Sequence, residues 1–304
     1  MRFSDASHCS YFSRRRVWRK GIGMAVDGRV AVVTGATSGI GQWTALGLAQ
    51  AGMHVLAVGR DARRAEPLAD WVRARHASAR IEVMLADLSL MEEVRRLAGA
   101  LRDRTERIDV LVNNAGVFRT ARSETREGHE LTIAVNHLAP FLLTRELLPL
   151  LQAAPHARIV NVGSAAADRA TIDVDDLEWT ARPWSMMKVY GQSKLALLLA
   201  SVERARRLGE APSVNVVHPG AVGTRIGNVG GGLGIAWTLM KPFLLSPAKG
   251  ARTTLHVALD PAVAAMTGRY FKRSAPVAPN PLALDPALAA RLWAATEALI
   301  GTAR

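Results

Sequence analysis

Two residues with the types and spacing to do proton chemistry are Tyr190 and Lys194, four positions apart in Tyr190-Gly191-Gln192-Ser193-Lys194. On a helix this spacing sets a phenol and an ammonium on the same face. A free phenol titrates at about 10, so giving a proton to a carbonyl, or taking one from an alcohol, near neutral pH requires a stabilised phenolate. A lysine ammonium close by supplies that through charge attraction, and it can also hold the ribose of a nicotinamide. Alone, the pair is a common accident of solvated helix faces. Ser164 adds to it, because it follows the apolar run Ile159–Val162, at the strand edge where open α/β sheets bind ligands, and its hydroxyl can orient a substrate oxygen. A turn or a helix cap is the plainer role for such a serine. Asn136 sits inside a helical pattern, where its amide either meets solvent or serves a buried polar network such as a water chain to Lys194.

A second constellation lies near the start of the folded pattern: Thr34-Gly35-Ala36-Thr37-Ser38-Gly39-Ile40-Gly41, directly after the apolar run Val30–Thr34 and opening an amphipathic helix. Gly35 permits a tight turn, Gly39 lets backbone N–H groups approach a pyrophosphate, and Gly41 lets helix and strand close up. Thr37, Ser38 and Ile40 stand among them as cofactor contacts. The end of the second strand then reads Val58-Gly59-Arg60. An acid there would accept from a ribose 2′-OH, whereas Gly59 followed by Arg60 suits a 2′-phosphate, so NADP(H) is expected over NAD(H). Asp61 argues the other way, since a shift of two residues would make it the ribose acceptor.

These residues need a scaffold, and the chain supplies one. Short valine-rich runs at Val30–Thr34, His54–Val58, Ile81–Leu85, Val110–Asn113, Ile159–Val162 and Val214–Val217 read as strands buried on both faces. Amphipathic helices at Gly41–Ala51, Ala62–Arg75, Leu90–Arg104 and Leu131–Leu151 alternate with them. That alternation predicts an α/β fold, a single Rossmann-type doubly wound parallel sheet with helices on both faces. Gly227–Gly234 is glycine-rich and Ala275–Pro286 proline-rich, and both are expected to be irregular. Residues 1–24 carry six arginines and lysines against one aspartate, out of a formal net charge of +13, and read as a basic flexible leader ahead of one domain over 25–304. The single Cys9 and the absence of an HExxH-like spacing among the eight histidines give no reason to expect a disulfide or a metal, and the cytoplasm is the expected compartment. No apolar run reaches the length of a membrane span.

The whole pattern resembles the short-chain dehydrogenase/reductase family over nearly all of Val26 to Gly301. Thr34–Gly41, Asp87-Leu88, the Asn113–Gly116 stretch with Asn114, Ala115 and Gly116, and Tyr190–Lys194 each match one of its motifs. The resemblance implies that Asn136, Ser164, Tyr190 and Lys194 form a catalytic tetrad. It also implies that Asp87 and Leu88 lie by the adenine, and that His218-Pro219-Gly220 through Val222 to Thr224 meet the nicotinamide carboxamide. Within the family the chain looks most like the retinol-dehydrogenase-like branch, through Val135-Asn136-His137-Leu138, Gly59-Arg60, Thr267-Gly268-Arg269-Tyr270-Phe271 and Leu292-Trp293. Gly163 stands where the family often has a first serine. Asp173–Glu178 with Trp179 fills a long Ser164-to-Tyr190 interval and reads as a surface lobe. A homodimer or homotetramer is the family's usual assembly.

The implied activity is hydride transfer between NADP(H) and an alcohol or carbonyl. A non-catalytic NADP(H) sensor is the alternative on the same fold, and loss of the tyrosine or lysine would favour it; neither is lost. Nucleic-acid binding through the leader would need a clustered positive surface on the folded part, which the sequence does not reveal. Near 227–250, four glycines precede Ile235, Trp237, Leu239, Met240, Phe243 and Leu244. This reads as a hinged apolar lid, pointing to a small apolar alcohol or carbonyl substrate, against the plainer reading of a helix packed on the core or on a second subunit.

Overall fold

The computed structural model describes residues 28–222 and 244–301. The basic leader, Thr224 and the expected lid from 227 to 243 lie outside the described residues. Eight strands form one sheet in the order β3-β2-β1-β4-β5-β6-β7-β8. These are β1 (Val30–Thr34), β2 (His54–Gly59), β3 (Ile81–Leu85), β4 (Val110–Asn113), β5 (Arg158–Val162), β6 (Ser213–His218), β7 (Tyr270–Lys272) and β8 (Ala275–Val277). All neighbours are parallel except β7 and β8. The strand order reverses between β1 and β4, opening a crevice at the carboxyl ends of the strands, where doubly wound sheets bind their ligands.

Alternation along β1 shows why the central strands are apolar throughout. Val30 and Val32 enter a core shared with α3 (Met91–Arg102), α5 (Ala139–Glu146), α7 (Met186–Leu208) and α9 (Pro286–Gly301). Ala31 and Val33 enter the opposite core, under α1 (Gly39–Gln50), α2 (Ala62–Arg73) and α8 (Pro247–Leu259). Each face is covered by helices, so neither can carry polar residues cheaply. Edge strand β3 departs from the expected double burial: it lies at the margin of the sheet among the described residues, and Glu82 and Leu85 are exposed.

The expected helix over Leu131–Leu151 is divided into α4 (Leu131–Ile133), a π-helical turn Ala134–Leu138, α5 and α6 (Leu148–Gln152). Pro140 has no N–H to offer the Asn136 carbonyl, and the Ala139 N–H bonds back to Ala134, five residues earlier. A wider turn at Asn136 is the outcome. The proline-rich stretch is also more ordered than expected, holding β8, a 3₁₀ turn Pro281–Leu284 and the start of α9. In the supposed surface lobe, Val174, Leu177 and Trp179 are buried, with the Arg182 guanidinium 3.9 Å over the Trp179 ring. The lobe is tied to the start of α4 by His129 to Glu178 at 2.9 Å and by Trp184 Nε1 donating to Glu130 at 3.3 Å.

Candidate active site

The glycine loop leaves β1 with Gly35 at φ +64° and Gly39 at +57°, a region that side chains with a Cβ rarely enter. A Cβ on Gly35 would lie 2.9 Å from the Ala115 Cα, and one on Gly41 would lie 2.3 Å from the Gly35 carbonyl oxygen and 2.4 Å from the Asn114 amide. Gly41 therefore sits behind the loop and lets α1 press against it. Asn114 fixes the loop from the other side, donating to the carbonyls of Thr34 at 2.8 Å and Gly35 at 3.2 Å. The Thr34 hydroxyl accepts from the N–H groups of Asn114 and Ala115, both at 3.0 Å. Below, Asn113 donates to Asn161 at 2.8 Å and to Thr144 at 3.1 Å, locking β4 to β5.

This frame opens a cleft of about 790 Å³ along the carboxyl edge of the sheet. Its lining contains Gly35, Thr37, Ser38, Gly39, Ile40, Arg60, Asp87, Leu88, Asn114, Ala115, Gly116, Ser164, Tyr190, Lys194, Pro219, Gly220 and Val222. Asn136 and Gly41 are not part of that lining. The cleft's volume and the polarity of the loop fit a dinucleotide. Ser38 occupies the N-cap of α1 without a side-chain cap bond, and the first turn holds no acid, so the N-terminal N–H groups of α1 face the cleft as an anion site.

At the far end, Ser164 follows β5 in extended conformation (φ −156°) and caps a 3₁₀ turn, Ala165–Ala167, accepting from the Ala166 N–H at 3.2 Å. Tyr190 stands on α7 within hydrogen-bonding reach of the Ser164 side chain, its ring edge-on to Phe118 at 5.0 Å. One turn further on, buried Lys194 donates to the Val162 carbonyl at 2.9 Å. A Cβ on Gly116 would meet both the Lys194 ammonium, at 3.4 Å, and Asn136 Oδ1, at 3.3 Å. Asn136 accepts from the Val117 N–H at 2.8 Å, and donates to the Val117 carbonyl and the Ser193 hydroxyl, each at 3.0 Å. It thus clamps the segment after β4 to α7 rather than opening into the cleft.

Burial pushes Tyr190 above the ordinary phenol range, offset in part by the hydrogen bond from Ser164. The Lys194 ammonium is pushed down to about 8 by its own burial. The ammonium itself is directed at the Val162 carbonyl, and what raises Tyr190 is the desolvation of its phenol.

At the other end, Asp61 caps α2, accepting from the Arg63 N–H at 3.0 Å, and lies 3.5 Å from the Arg64 guanidinium. Arg64 also lines the cleft beside Arg60. Arg64 belongs to no motif in the sequence and comes to the cleft from the first turn of α2, just past the N-cap Asp61. The sequence reading passed over it, and also over Val117, Phe118, Met186 and Met187 on the wall near Tyr190, which carry no motif and become neighbours only through the fold.

A doubly wound sheet whose cleft joins an anion-binding helix terminus to a serine, tyrosine and lysine defines a nicotinamide-dependent oxidoreductase. The family model described as short chain dehydrogenase matches residues 29–229. Human retinol dehydrogenase 13 is 37% identical over 287 residues, covering 91% of this chain and 86% of its own. A Streptomyces sp. (strain C5) protein provisionally named daunorubicin C-13 ketoreductase DnrU is 41% identical, covering 92% of this chain and 95% of its own. Among solved structures, the Pseudomonas aeruginosa RhlG/NADP active-site complex superposes with a TM-score of 0.66 at 32% identity, covering 82% of this chain and 96% of that one. The chain belongs to the short-chain dehydrogenase family, in its retinol-dehydrogenase-like branch.

Proposed function

We propose that the chain is an NADP(H)-dependent carbonyl reductase or alcohol dehydrogenase for apolar substrates. The observation that carries the reaction is that Ser164, at the end of β5, and the Tyr190–Lys194 pair, on α7, line one end of a cleft whose other end is the glycine loop. The cofactor supplies the hydride donor or acceptor. Gly35, Thr37, Ser38, Gly39 and Ile40 would cradle its pyrophosphate, with Asp87 and Leu88 toward the adenine and Pro219, Gly220 and Val222 toward the nicotinamide end. Tyr190 donates its proton to the carbonyl oxygen during reduction and withdraws it during oxidation. Ser164 holds that oxygen against the phenol. Lys194 balances the phenolate charge, and Asn136 keeps α7 and the Gly116–Val117 segment in register.

NADP(H) is favoured by charge. Asp61, the one acid that would compete for a ribose hydroxyl, is engaged at the N-cap of α2, while Arg60 and Arg64 present two guanidinium groups to the same end of the cleft. The solved NADP complex of a relative is consistent with this preference. An apolar substrate is supported by Val117, Phe118, Met186 and Met187 beside the reacting end, and by relatives named for retinol and daunorubicin.

The test is a panel of aldehydes and ketones, from short and polar to long and apolar, assayed by nicotinamide absorbance with NADPH and with NADH. NADPH oxidation that rises with apolar length is expected. Equal use of both cofactors, or a preference for small polar carbonyls, would overturn the corresponding half of the reading.

A further inference from the structure

The turn bearing Ser164 is held from behind by the last parallel strand of the sheet. The Tyr270 side chain on β7 is buried, and its hydroxyl lies 3.2 Å from the Ser164 carbonyl oxygen and 3.1 Å from Asp168 Oδ1, its single proton shared between these two acceptors. The other carboxylate oxygen of Asp168 pairs with the Lys272 ammonium, two residues along the same strand. His218, at the end of β6, accepts from the Ala165 N–H through Nδ1 at 3.2 Å. Asn280 donates to the carbonyls of Ala167 and Ala170, each at 2.9 Å. A Cβ on Gly163 would lie 2.8 Å from the Val216 side chain and in ordinary contact, at 3.9 Å, with the Tyr270 ring.

Ser164 is where the chain leaves the sheet. The Gly163 N–H still bonds to the Val217 carbonyl at 2.8 Å, but the Ser164 carbonyl has no strand partner. It accepts instead from the Ala167 N–H at 3.0 Å and from Tyr270, which fills both lone pairs and fixes the peptide plane. With the peptide fixed, the side chain leaves toward Tyr190.

We propose that Tyr270 is a positioning residue: held by the Asp168–Lys272 ion pair, its hydroxyl grips the Ser164 carbonyl and thereby aims the Ser164 hydroxyl at the Tyr190 phenol. This rests on the reading of Ser164 and Tyr190 given above. Burial and the Asp168 carboxylate both push Tyr270 well above the ordinary phenol range, so it stays a proton donor to Ser164 and takes no part in proton exchange with substrate. The arrangement gives a role to the Thr267–Phe271 segment that the sequence marks only as a branch signature.

The experiment is a double-mutant cycle on the full chain with Tyr270→Phe and Ser164→Ala, read by decanal reduction with NADPH. It is paired with a substrate-free ultraviolet titration of tyrosinate, tractable because the chain has only three tyrosines. Tyr270→Phe is expected to lower kcat by roughly tenfold, about the worth of one hydrogen bond, with KM for decanal and the NADPH dissociation constant unchanged. Tyr190 should ionise at higher pH in Tyr270→Phe, as it should in Ser164→Ala. In the Ser164→Ala background, Tyr270→Phe should change neither readout further. An equal effect of Tyr270→Phe in both backgrounds, or a loss confined to KM or to cofactor affinity, overturns the proposal. If the parent chain does not reduce decanal, the functional reading fails for that substrate while the tyrosinate titration still decides the positioning role. Should Tyr270→Phe not fold, Lys272→Gln, at a half-buried ion pair, must shift the Tyr190 titration in the same direction, and an unchanged titration overturns the proposal.

Discussion

Lys194 Nζ lies 2.9 Å from the carbonyl oxygen of Val162, two residues before Ser164. One hydrogen bond thus ties the helix that carries Tyr190 to the strand that leads into Ser164, and so helps set the geometry between the two hydroxyls.

Replacing Tyr190 by Phe removes the proton and keeps the ring against Phe118. Turnover should fall by at least a hundredfold, within the range expected for general acid–base catalysis, while NADPH affinity measured by fluorescence titration stays within a factor of two or so. Retained turnover above about a hundredth of the parent would remove Tyr190 from its assigned role.

The acid–base state of Lys194 gives a pH signature. Its ammonium, ordinarily near 10.5, is brought to about 8 by burial. Below about 8 both folded and unfolded chains hold this proton and the buried charge costs stability; between about 8 and 10.5 the unfolded chain holds more protons, so this group makes stability rise with pH. Urea unfolding of the unliganded protein should show that component, and Lys194→Met should lack it. Carbonyl reduction should decline as pH climbs through about 8 and the ammonium is lost. A reduction rate that holds level well past that point would show that the charge on Lys194 is dispensable.

At the opposite end of the cleft, Arg60→Ala and Arg64→Ala should each weaken NADPH binding more than NADH binding, by about tenfold or more for a lost charge-assisted contact. The check is a pair of dissociation constants for each variant. Parallel losses for the two cofactors would mean that neither arginine reads the 2′-phosphate.

Gly41→Ala tests the phosphate loop without touching the cleft lining. The added methyl group would lie 2.3 Å from the Gly35 carbonyl oxygen, a backbone atom that cannot swing aside, so α1 or the loop must shift. Cofactor affinity should drop by tenfold or more, on the order of a lost pyrophosphate contact, and thermal stability should fall with it. Unchanged affinity for NADPH would mean that the close fit of loop and helix is not what shapes the anion site.

The legible parts of the sequence were those with local causes. The valines at 30, 32 and 33 announce a strand buried on both sides because each face of β1 enters its own core. The glycine loop and the Tyr190–Lys194 pair are contiguous, and their geometry follows from turn and helix period alone. What stayed hidden depends on the sheet order. Tyr270 meets Ser164 across 106 positions only because β7 lies beside β6, and no spacing in the sequence encodes that. Met186 and Met187 reach the cleft from the first turn of α7, just after a segment that Trp184, Glu130 and His129 tie to the start of α4. The broken helix around Asn136 was signalled by Pro140 and Pro149, but a pattern of apolar positions cannot distinguish a π turn from continuous helix. Strand β8 is three exposed residues including a proline and carries no periodicity to detect.

The central claim is that this chain moves a hydride between NADPH and a carbonyl carbon. The direct measurement uses NADPH carrying deuterium at nicotinamide C4, incubated with the purified chain and the best carbonyl from the panel, with the alcohol product analysed by mass spectrometry. The account predicts one deuterium on the carbinol carbon from one face of the nicotinamide, and none from Tyr190→Phe under the same conditions. A chain that binds NADPH tightly yet returns the carbonyl unreduced would contradict it, and would make the protein a cofactor-responsive binder rather than an enzyme.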